Sequence, residues 1–312
     1  MALTETNYNN KTILVTGATG FIGQNLCPQL SHLGAKVIGT SRSPAPQSSH
    51  LVQLDLSDKQ ATQSLINDIQ PHYIFHLAAQ KSRNSSIDAL DSALQDNLIG
   101  SLNLFSANAN NTNIETIVSL GTIDEYGRSL AEGAPEQRLQ PISPYGVSKY
   151  CVSILADMMT REYNIPITTI RPSLAYGPHQ DVDMFIPALI KSILAGKKFS
   201  MTAGDQTRDF IYIDDLINGI IIAGAHKNFV GKSLNIGSKG SIKLKDVVAI
   251  ITDQLKASHL VDLGAVPYRN GEIMNYQVDS SILLSNTSWK PLTSIKDGLK
   301  KTINFYKKLN DA

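Results

Sequence analysis

The chain has 312 residues, 42% of them hydrophobic, which supplies one large core, or a nucleotide-binding domain with a smaller one attached, and excludes a disordered protein. Lys plus Arg number 28 against 27 Asp plus Glu, so no long-range field draws the protein to a polyanion or an anionic membrane, and no nucleic-acid partner is expected. The two cysteines, Cys27 and Cys151, form no Cys-x-x-Cys pair and the seven histidines no ligand-spaced cluster, so structural thiols and no metal are expected.

In chain order, Met1 to Lys11 is polar and Asn-rich, without the basic start or apolar stretch of a secretory signal. No apolar run approaches the ~20 residues that span a bilayer; Leu216 to Ala225 comes nearest but is short and contains Asn218 and Gly219. A cytoplasmic protein is expected. Strands are expected at Thr12 to Thr16, Lys36 to Thr40, Leu51 to Asp55, Tyr73 to Leu77, Glu115 to Leu120 and Ile167 to Arg171. Helices fall between them at Phe21 to Leu33, Asp58 to Ile69, Ile87 to Asn108 and Pro144 to Tyr163. This alternation predicts an α/β protein with a Rossmann-type doubly wound parallel sheet. Ser41 to Ser49 reads as a Ser/Pro-rich loop and Ala109 to Asn113 as a polar turn. After Pro172 come helices at Met184 to Ala195, Leu244 to Leu255 and Ile295 to Leu309, in a smaller α/β C-terminal substrate lobe. The division is set at 1–172 for the dinucleotide domain and 173–312 for the lobe. Asp209 to Ile213 and Ser233 to Ile236, within about 208–237, are candidates to return to the main sheet as strands.

Thr12-Ile-Leu-Val-Thr-Gly17-Ala-Thr-Gly20-Phe-Ile-Gly23 puts three glycines directly after a strand and at the opening of a helix. The first allows a tight turn, the second lets backbone approach a pyrophosphate, and the third lets helix and strand pack closely. The helix N-terminus offers free N–H groups and a positive dipole to phosphate. At the end of the second strand an acid would hold an unphosphorylated ribose 2′-hydroxyl, and an Arg would accept a 2′-phosphate. The chain reads Gly39-Thr40-Ser41-Arg42 there, which favours NADP(H) over NAD(H). Further on, Ser143-Pro144-Tyr145-Gly146-Val147-Ser148-Lys149 opens a helix with Ser143 as N-cap and Pro144 at its first position. Tyr145 and Lys149, at i and i+4, share a face. A nearby cation stabilises a phenolate and brings the tyrosine, ordinarily near ~10, into the range of proton transfer. Upstream, Ser119-Leu-Gly-Thr122-Ile-Asp124-Glu125-Tyr126-Gly127 follows a strand at the carboxyl edge of the sheet, where ligands bind in open α/β folds.

With its Gly-x-x-Gly-x-x-Gly turn, Thr122 loop and Tyr145/Lys149 pair, the sequence resembles the extended short-chain dehydrogenases, and over nearly its whole length their nucleotide-sugar enzymes. That resemblance implies a cofactor site of Gly17, Thr19, Gly20, Phe21, Ile22, Gly23, Ser41 and Arg42, with Asp55 and Leu56 beside adenine, and Leu77, Ala78 and Ala79 along the inner face. His76, next to them, reads as a structural or wall residue. The resemblance makes Thr122 the hydrogen-bond partner of the reacting sugar oxygen, Tyr145 the proton carrier and Lys149 the holder of the nicotinamide ribose. Asn97 would organise the site. Lys81, Asp124, Glu125, Arg208 and Arg269 would meet a nucleotide-diphosphate-sugar, the two arginines gripping its diphosphate. Leu174 departs from the Asn that many relatives carry for the sugar phosphate. A homodimer formed through Ile87 to Asn108 and Pro144 to Tyr163 is implied too.

The leading reaction is reduction of the C4 ketone of an NDP-4-keto-6-deoxyhexose. The Thr-Ser-Arg strand end suits NADPH, and the Asp-Glu-Tyr-Gly loop and Ser-Pro-Tyr-Gly-Val-Ser-Lys resemble GDP-4-keto-6-deoxymannose reductases. A 4-epimerase uses the same three residues and stands second. A 4,6-dehydratase stands third, because Ile123 sits where dehydratases place the first of two acids after the threonine. A dinucleotide-sensing protein without chemistry stands last.

Overall fold

The structure is a computed structural model that describes residues 6–43, 50–81, 86–127, 139–269 and 271–310. The first residues of the N-terminal segment, most of the Ser41 to Ser49 loop, and Asn270 beside Arg269 lie outside the described residues.

The first half runs β1 (Thr12–Thr16), α1 (Phe21–His32), β2 (Lys36–Ser41), β3 (Leu51–Gln53), α2 (Lys59–Ile69), β4 (Tyr73–His76), α3 (Ile87–Ala93), a π-helical stretch (Leu94–Ile99), α4 (Gly100–Ala107), β5 (Thr116–Leu120), α5 (Pro144–Tyr163) and β6 (Ile167–Pro172). The second half runs β7 (Leu174–Tyr176), α6 (Phe185–Leu194), β8 (Phe199–Met201), β9 (Thr207–Arg208), β10 (Phe210–Tyr212), α7 (Ile213–Ala225), β11 (Ser233–Ile236), β12 (Ile242–Lys243), α8 (Leu244–Leu255), β13 (Val261–Leu263), α9 (Ser281–Asn286) and α10 (Ile295–Asn310). Seven parallel strands form the main sheet in the order β11-β6-β5-β4-β1-β2-β3, which makes the expected doubly wound α/β fold. The order reverses between β1 and β4, and the crevice there is where such sheets bind ligands.

Alternation along the strands separates two cores. Leu14, Ile74, Ile117 and Ile167 pack with Ile66 of α2, Leu104 of α4 and Val152 of α5. Val15, Phe75, Val118 and Ile170 point the other way, onto Leu26 of α1 and Ile217 and Ile220 of α7. Local signals set several helix starts: Asp58 caps α2 by accepting from Ala61 N, and Ser143 caps α5 by accepting from Gly146 N. Among the described residues, no helix is long and apolar enough to cross a membrane.

Three expectations change. Ser233–Ile236 does join the main sheet, beside β6, but the strand expected at Asp209 to Ile213 pairs with β7 in a separate two-stranded sheet. Its last residue instead begins α7, which was not expected as a helix. α7 is buried nearly all round, so its sequence shows no apolar stripe of helical period. The helix expected over Ile87 to Asn108 is interrupted by the π-helical Leu94–Ile99, a form that concentrates at functional sites.

Late in the chain, α10 reaches back to the loop after β7. The Tyr306 hydroxyl donates to Gln180 O at 2.5 Å, and Phe305 packs edge-on against His179, with ring centroids 4.7 Å apart. Gln180 in turn donates through its amide to Ala175 O at 2.8 Å.

Candidate active site

The turn after β1 shows why glycine stands at both ends of the motif. Gly17 has φ +69, and a Cβ there would lie 2.8 Å from Ala78 N. A Cβ on Gly23 would lie 2.4 Å from Gly17 O, so the third glycine lets α1 seat on the turn. No side chain caps α1 and no acid stands in its first turn, which leaves its positive end open. From there a groove of about 280 Å3 runs to the end of β2, lined by Gly17, Thr19, Gly20, Ser41, Arg42, Asp55, Leu56, Leu77, Ala78, Ala79, Gln80 and Asp96. A Cβ-free cradle at an uncapped helix N-terminus, continuing into a mixed polar and apolar cleft, suits the phosphates and adenosine of a dinucleotide. Phe21 and Ile22 lie apart from this groove and line the next one.

His76 is structural. Its Nδ1 hydrogen-bonds Thr16 Oγ1 at 2.8 Å and its Nε2 Ser101 Oγ at 2.9 Å. Burial, and then the charge of Lys149, push its pKa down to about 3, so it is neutral. Among the described residues, no three His, Cys, Asp or Glu side chains come together as a metal site.

The second groove, of about 880 Å3, is bordered by Phe21, Ile22, Lys81, Thr122, Asp124, Tyr145 and Arg208, with apolar walls from Leu174, Phe185 and Phe210. Thr122 ends the segment after β5, and its Oγ1 accepts from Asp124 N at 3.3 Å. Tyr145 enters from the first turn of α5 and hydrogen-bonds Thr122. The expected depression of the Tyr145 pKa is not what the surroundings produce. Burial, followed by the charges of Asp124 and Glu125, holds it above its ordinary value, and only the bond to Thr122 pulls it down. Lys149, one turn further along α5, is 2% exposed. Burial lowers its pKa to about 8, against a smaller upward pull from Glu125.

This buried ammonium has a measurable cost. In the unfolded chain the lysine titrates near 10.5 and in the folded protein near 8, so between those values the unfolded state holds more protons. The penalty is complete below pH 8 and is relieved as pH rises toward 10.5. Lys149→Met is therefore expected to raise the urea midpoint at pH 7, with the gain over wild type fading between pH 8 and 10.5. A gain that grows with pH would contradict the assigned burial.

Of the expected substrate contacts, Lys81, Asp124 and Arg208 reach the groove. Burial, its largest influence, raises the Asp124 pKa, with Lys81 and Arg208 pulling it down. Arg208 ion-pairs with Glu272, and its Nη1 donates to Ile273 O at 2.8 Å. Arg269 stays exposed outside the groove, in a turn where Glu272 N donates to Arg269 O. Glu125 is the larger correction. It is 0% exposed and faces the sheet: Oε1 accepts from Thr122 N at 2.9 Å, and Oε2 from Ser153 Oγ at 2.7 Å and Arg171 Nε at 2.8 Å. This carboxylate is enclosed by protein donors rather than open to the groove, and it holds the Thr122 loop.

Asn97 lies buried within the π-helical stretch. Its Oδ1 accepts from Gln80 N at 2.7 Å, and its Nδ2 donates to Gln80 O at 3.1 Å and to Ser148 Oγ at 2.9 Å. It therefore ties the loop after β4 to the turn of α5 that carries Lys149. Asp96, beside it, ion-pairs with Arg42 at 2.8 Å. Sequence reading gave no role to Asp96, Gln80, Ser148, Ser153 or the side chain of Arg171, since each acts through a partner distant in sequence.

Residues 13–237 match the NAD dependent epimerase/dehydratase family. A Bacillus subtilis protein named as an uncharacterised UDP-glucose epimerase is 32% identical to the chain, over 95% of it and 98% of the relative. A protein of Sinorhizobium fredii named as a probable dTDP-glucose 4,6-dehydratase is 27% identical, over 94% and 92%. Among solved structures, UDP-glucuronic acid 4-epimerase from Bacillus cereus, in complex with UDP-glucuronic acid and NAD, superposes with a TM-score of 0.86 at 28% identity, covering 96% of this chain and 99% of that one. With a family match over most of its length and a relative above 30% identity along nearly all of it, the chain belongs to the NAD dependent epimerase/dehydratase family of extended short-chain dehydrogenases.

Proposed function

We propose that the protein holds a nicotinamide dinucleotide along the glycine turn and a nucleotide-diphosphate-sugar in the larger groove, and inverts the sugar's C4 hydroxyl by oxidation and re-reduction. The observation carrying this reading is the meeting of Thr122 and Tyr145 in one groove beside the cradle, with buried Lys149 one turn along the same helix as Tyr145. When bound, the dinucleotide supplies the acceptor and donor of hydride. Tyr145 takes the proton of the C4 hydroxyl and returns it, while Thr122 holds the same oxygen. Lys149 contributes positive charge, Arg208 faces the diphosphate, and the walls of Leu174, Phe185 and Phe210 keep water from the reacting carbon.

Epimerisation is preferred over reduction because two residues that favoured a reductase are engaged elsewhere, Arg42 with Asp96 and Glu125 with Arg171. Dehydration needs an acid and a base besides the tyrosine, and the loop after Thr122 offers the groove one carboxylate, Asp124, where Ile123 is 2% exposed. The relatives named as epimerases point the same way. A second copy of the chain is proposed to cover the exposed Leu102, Ile154 and Tyr163 on α4 and α5.

The test incubates the purified protein with UDP-glucose, UDP-glucuronic acid and NDP-4-keto-6-deoxysugars, following the sugars by NMR and added NADH or NADPH by absorbance. Interconversion of C4 epimers without net change in added cofactor is expected. Stoichiometric oxidation of the cofactor would select the reductase instead, and a 4-keto product without it the dehydratase.

A further inference from the structure

The smaller groove carries a discrimination that the end of β2 alone does not show. Arg42 is the cation expected to greet a 2′-phosphate, and its position is well fixed, since its carbonyl accepts from Gln53 Nε2 at 3.0 Å. Its guanidinium, however, is turned across the groove, where Nη1 donates to Asp96 Oδ2 at 2.8 Å, 54 residues away. Asp96 lines the same groove from the π-helical stretch. Among the described residues lining this groove, the charged ones are thus Arg42, Asp55 and Asp96, one cation against two carboxylates. Asp55 is firmly ionised, because Ser57 N donates to it and lowers its pKa.

We propose that Asp96 makes the adenosine end of this groove select NAD(H) over NADP(H). This rests on the reading that the groove binds a nicotinamide dinucleotide. The argument turns on charge rather than on the ion pair as such. The pair is half open to solvent, with Arg42 59% and Asp96 26% exposed, and such pairs are weak enough for Arg42 to swing away. Asp96 remains in place when it does. A phosphate monoester, carrying nearly two negative charges at neutral pH, would then sit against a carboxylate, with a second one in the same groove. A ribose 2′-hydroxyl instead donates to that carboxylate, as it does to the acid that usually ends the second strand. The acid absent from β2 is supplied by the neighbouring helical segment, and it also restrains the one cation that would reward a phosphate.

The experiment titrates wild type, Asp96→Asn and Arg42→Gln with NAD+ and NADP+ by isothermal calorimetry, after any co-purifying nucleotide has been removed and identified by chromatography. Wild type is expected to bind NAD+ at least about tenfold more tightly than NADP+. Asp96→Asn should shrink that ratio by about tenfold, chiefly by tightening NADP+, because one opposing charge is gone and Arg42 is released. Arg42→Gln should weaken NADP+ further. The proposal is overturned if wild type prefers NADP+, or if Asp96→Asn leaves the ratio unchanged while its thermal melt matches wild type. Binding of neither nucleotide to any of the three proteins would remove the dinucleotide reading itself, and this inference with it.

Discussion

Tyr145→Phe is expected to lower turnover by on the order of 10²- to 10⁴-fold, the usual contribution of a positioned proton carrier, while leaving the fold and sugar binding nearly intact. The substitution deletes one oxygen from a half-buried side chain on the groove wall. Thr122 loses the acceptor of its hydroxyl, but it lines the open groove and still accepts from Asp124 N. The burden falls on the reaction because the proton of the sugar hydroxyl then has no phenol to go to. Asp124 is the nearest competitor, a groove carboxylate whose burial makes it easier to protonate. The measurement is kcat on the substrate found in the panel, with a thermal melt as the control. Wild-type kcat in a folded Tyr145→Phe protein would move the proton transfer to another residue and undo the assignment of α5 as the catalytic helix.

Glu125→Ala is expected to destabilise the protein by about 3–5 kcal/mol, the range for stripping one partner from a buried ion pair. Arg171 is as enclosed as Glu125, with side-chain exposures of 5% and 0%, and its guanidinium lies 5.5 Å from the centre of the Tyr126 ring. Removing the carboxylate leaves that cation without its anion, and leaves Thr122 N and Ser153 Oγ without an acceptor. Glu125→Met combined with Arg171→Met should recover much of the loss, since well-packed apolar replacements of a buried pair are often neutral. Activity should stay low in the double variant, because the Thr122 backbone is still unheld. Urea denaturation of the single and double variants, with kcat alongside, separates these effects. A loss below about 1 kcal/mol for Glu125→Ala would mean that water reaches Arg171 and that the pair is not a buried one.

The parts of the site legible in the sequence are those made by neighbours along the chain. Gly17, Gly20 and Gly23 declare a turn into a helix, and Ser143 and Pro144 declare the start of α5, which sets Tyr145 four residues before Lys149, because capping and helical spacing are local properties. The parts misread depend on partners brought close only by the fold. In the sequence, Glu125 is one of two adjacent acids and looks the equal of Asp124. Its burial follows from Arg171 at 46 residues' distance and Ser153 at 28. Arg42 likewise reads as a free cation until Asp96 is placed beside it. The pairing of β10 with β7 rather than with the main sheet had no local signal either, since a short apolar run fits any open edge. The expectation that Lys149 depresses Tyr145 failed on electrostatics. Counting one cation omitted two acids and the desolvation of both partners.

The contact between Tyr306 and Gln180 bears on how the protein is made. During synthesis every strand of the main sheet leaves the ribosome before α10 does, so the cradle of the first glycine turn is able to form while the wall of the larger groove still lacks its brace. The nascent protein thus passes through a period in which the glycine turn can be complete while the loop carrying Gln180 is still without Tyr306.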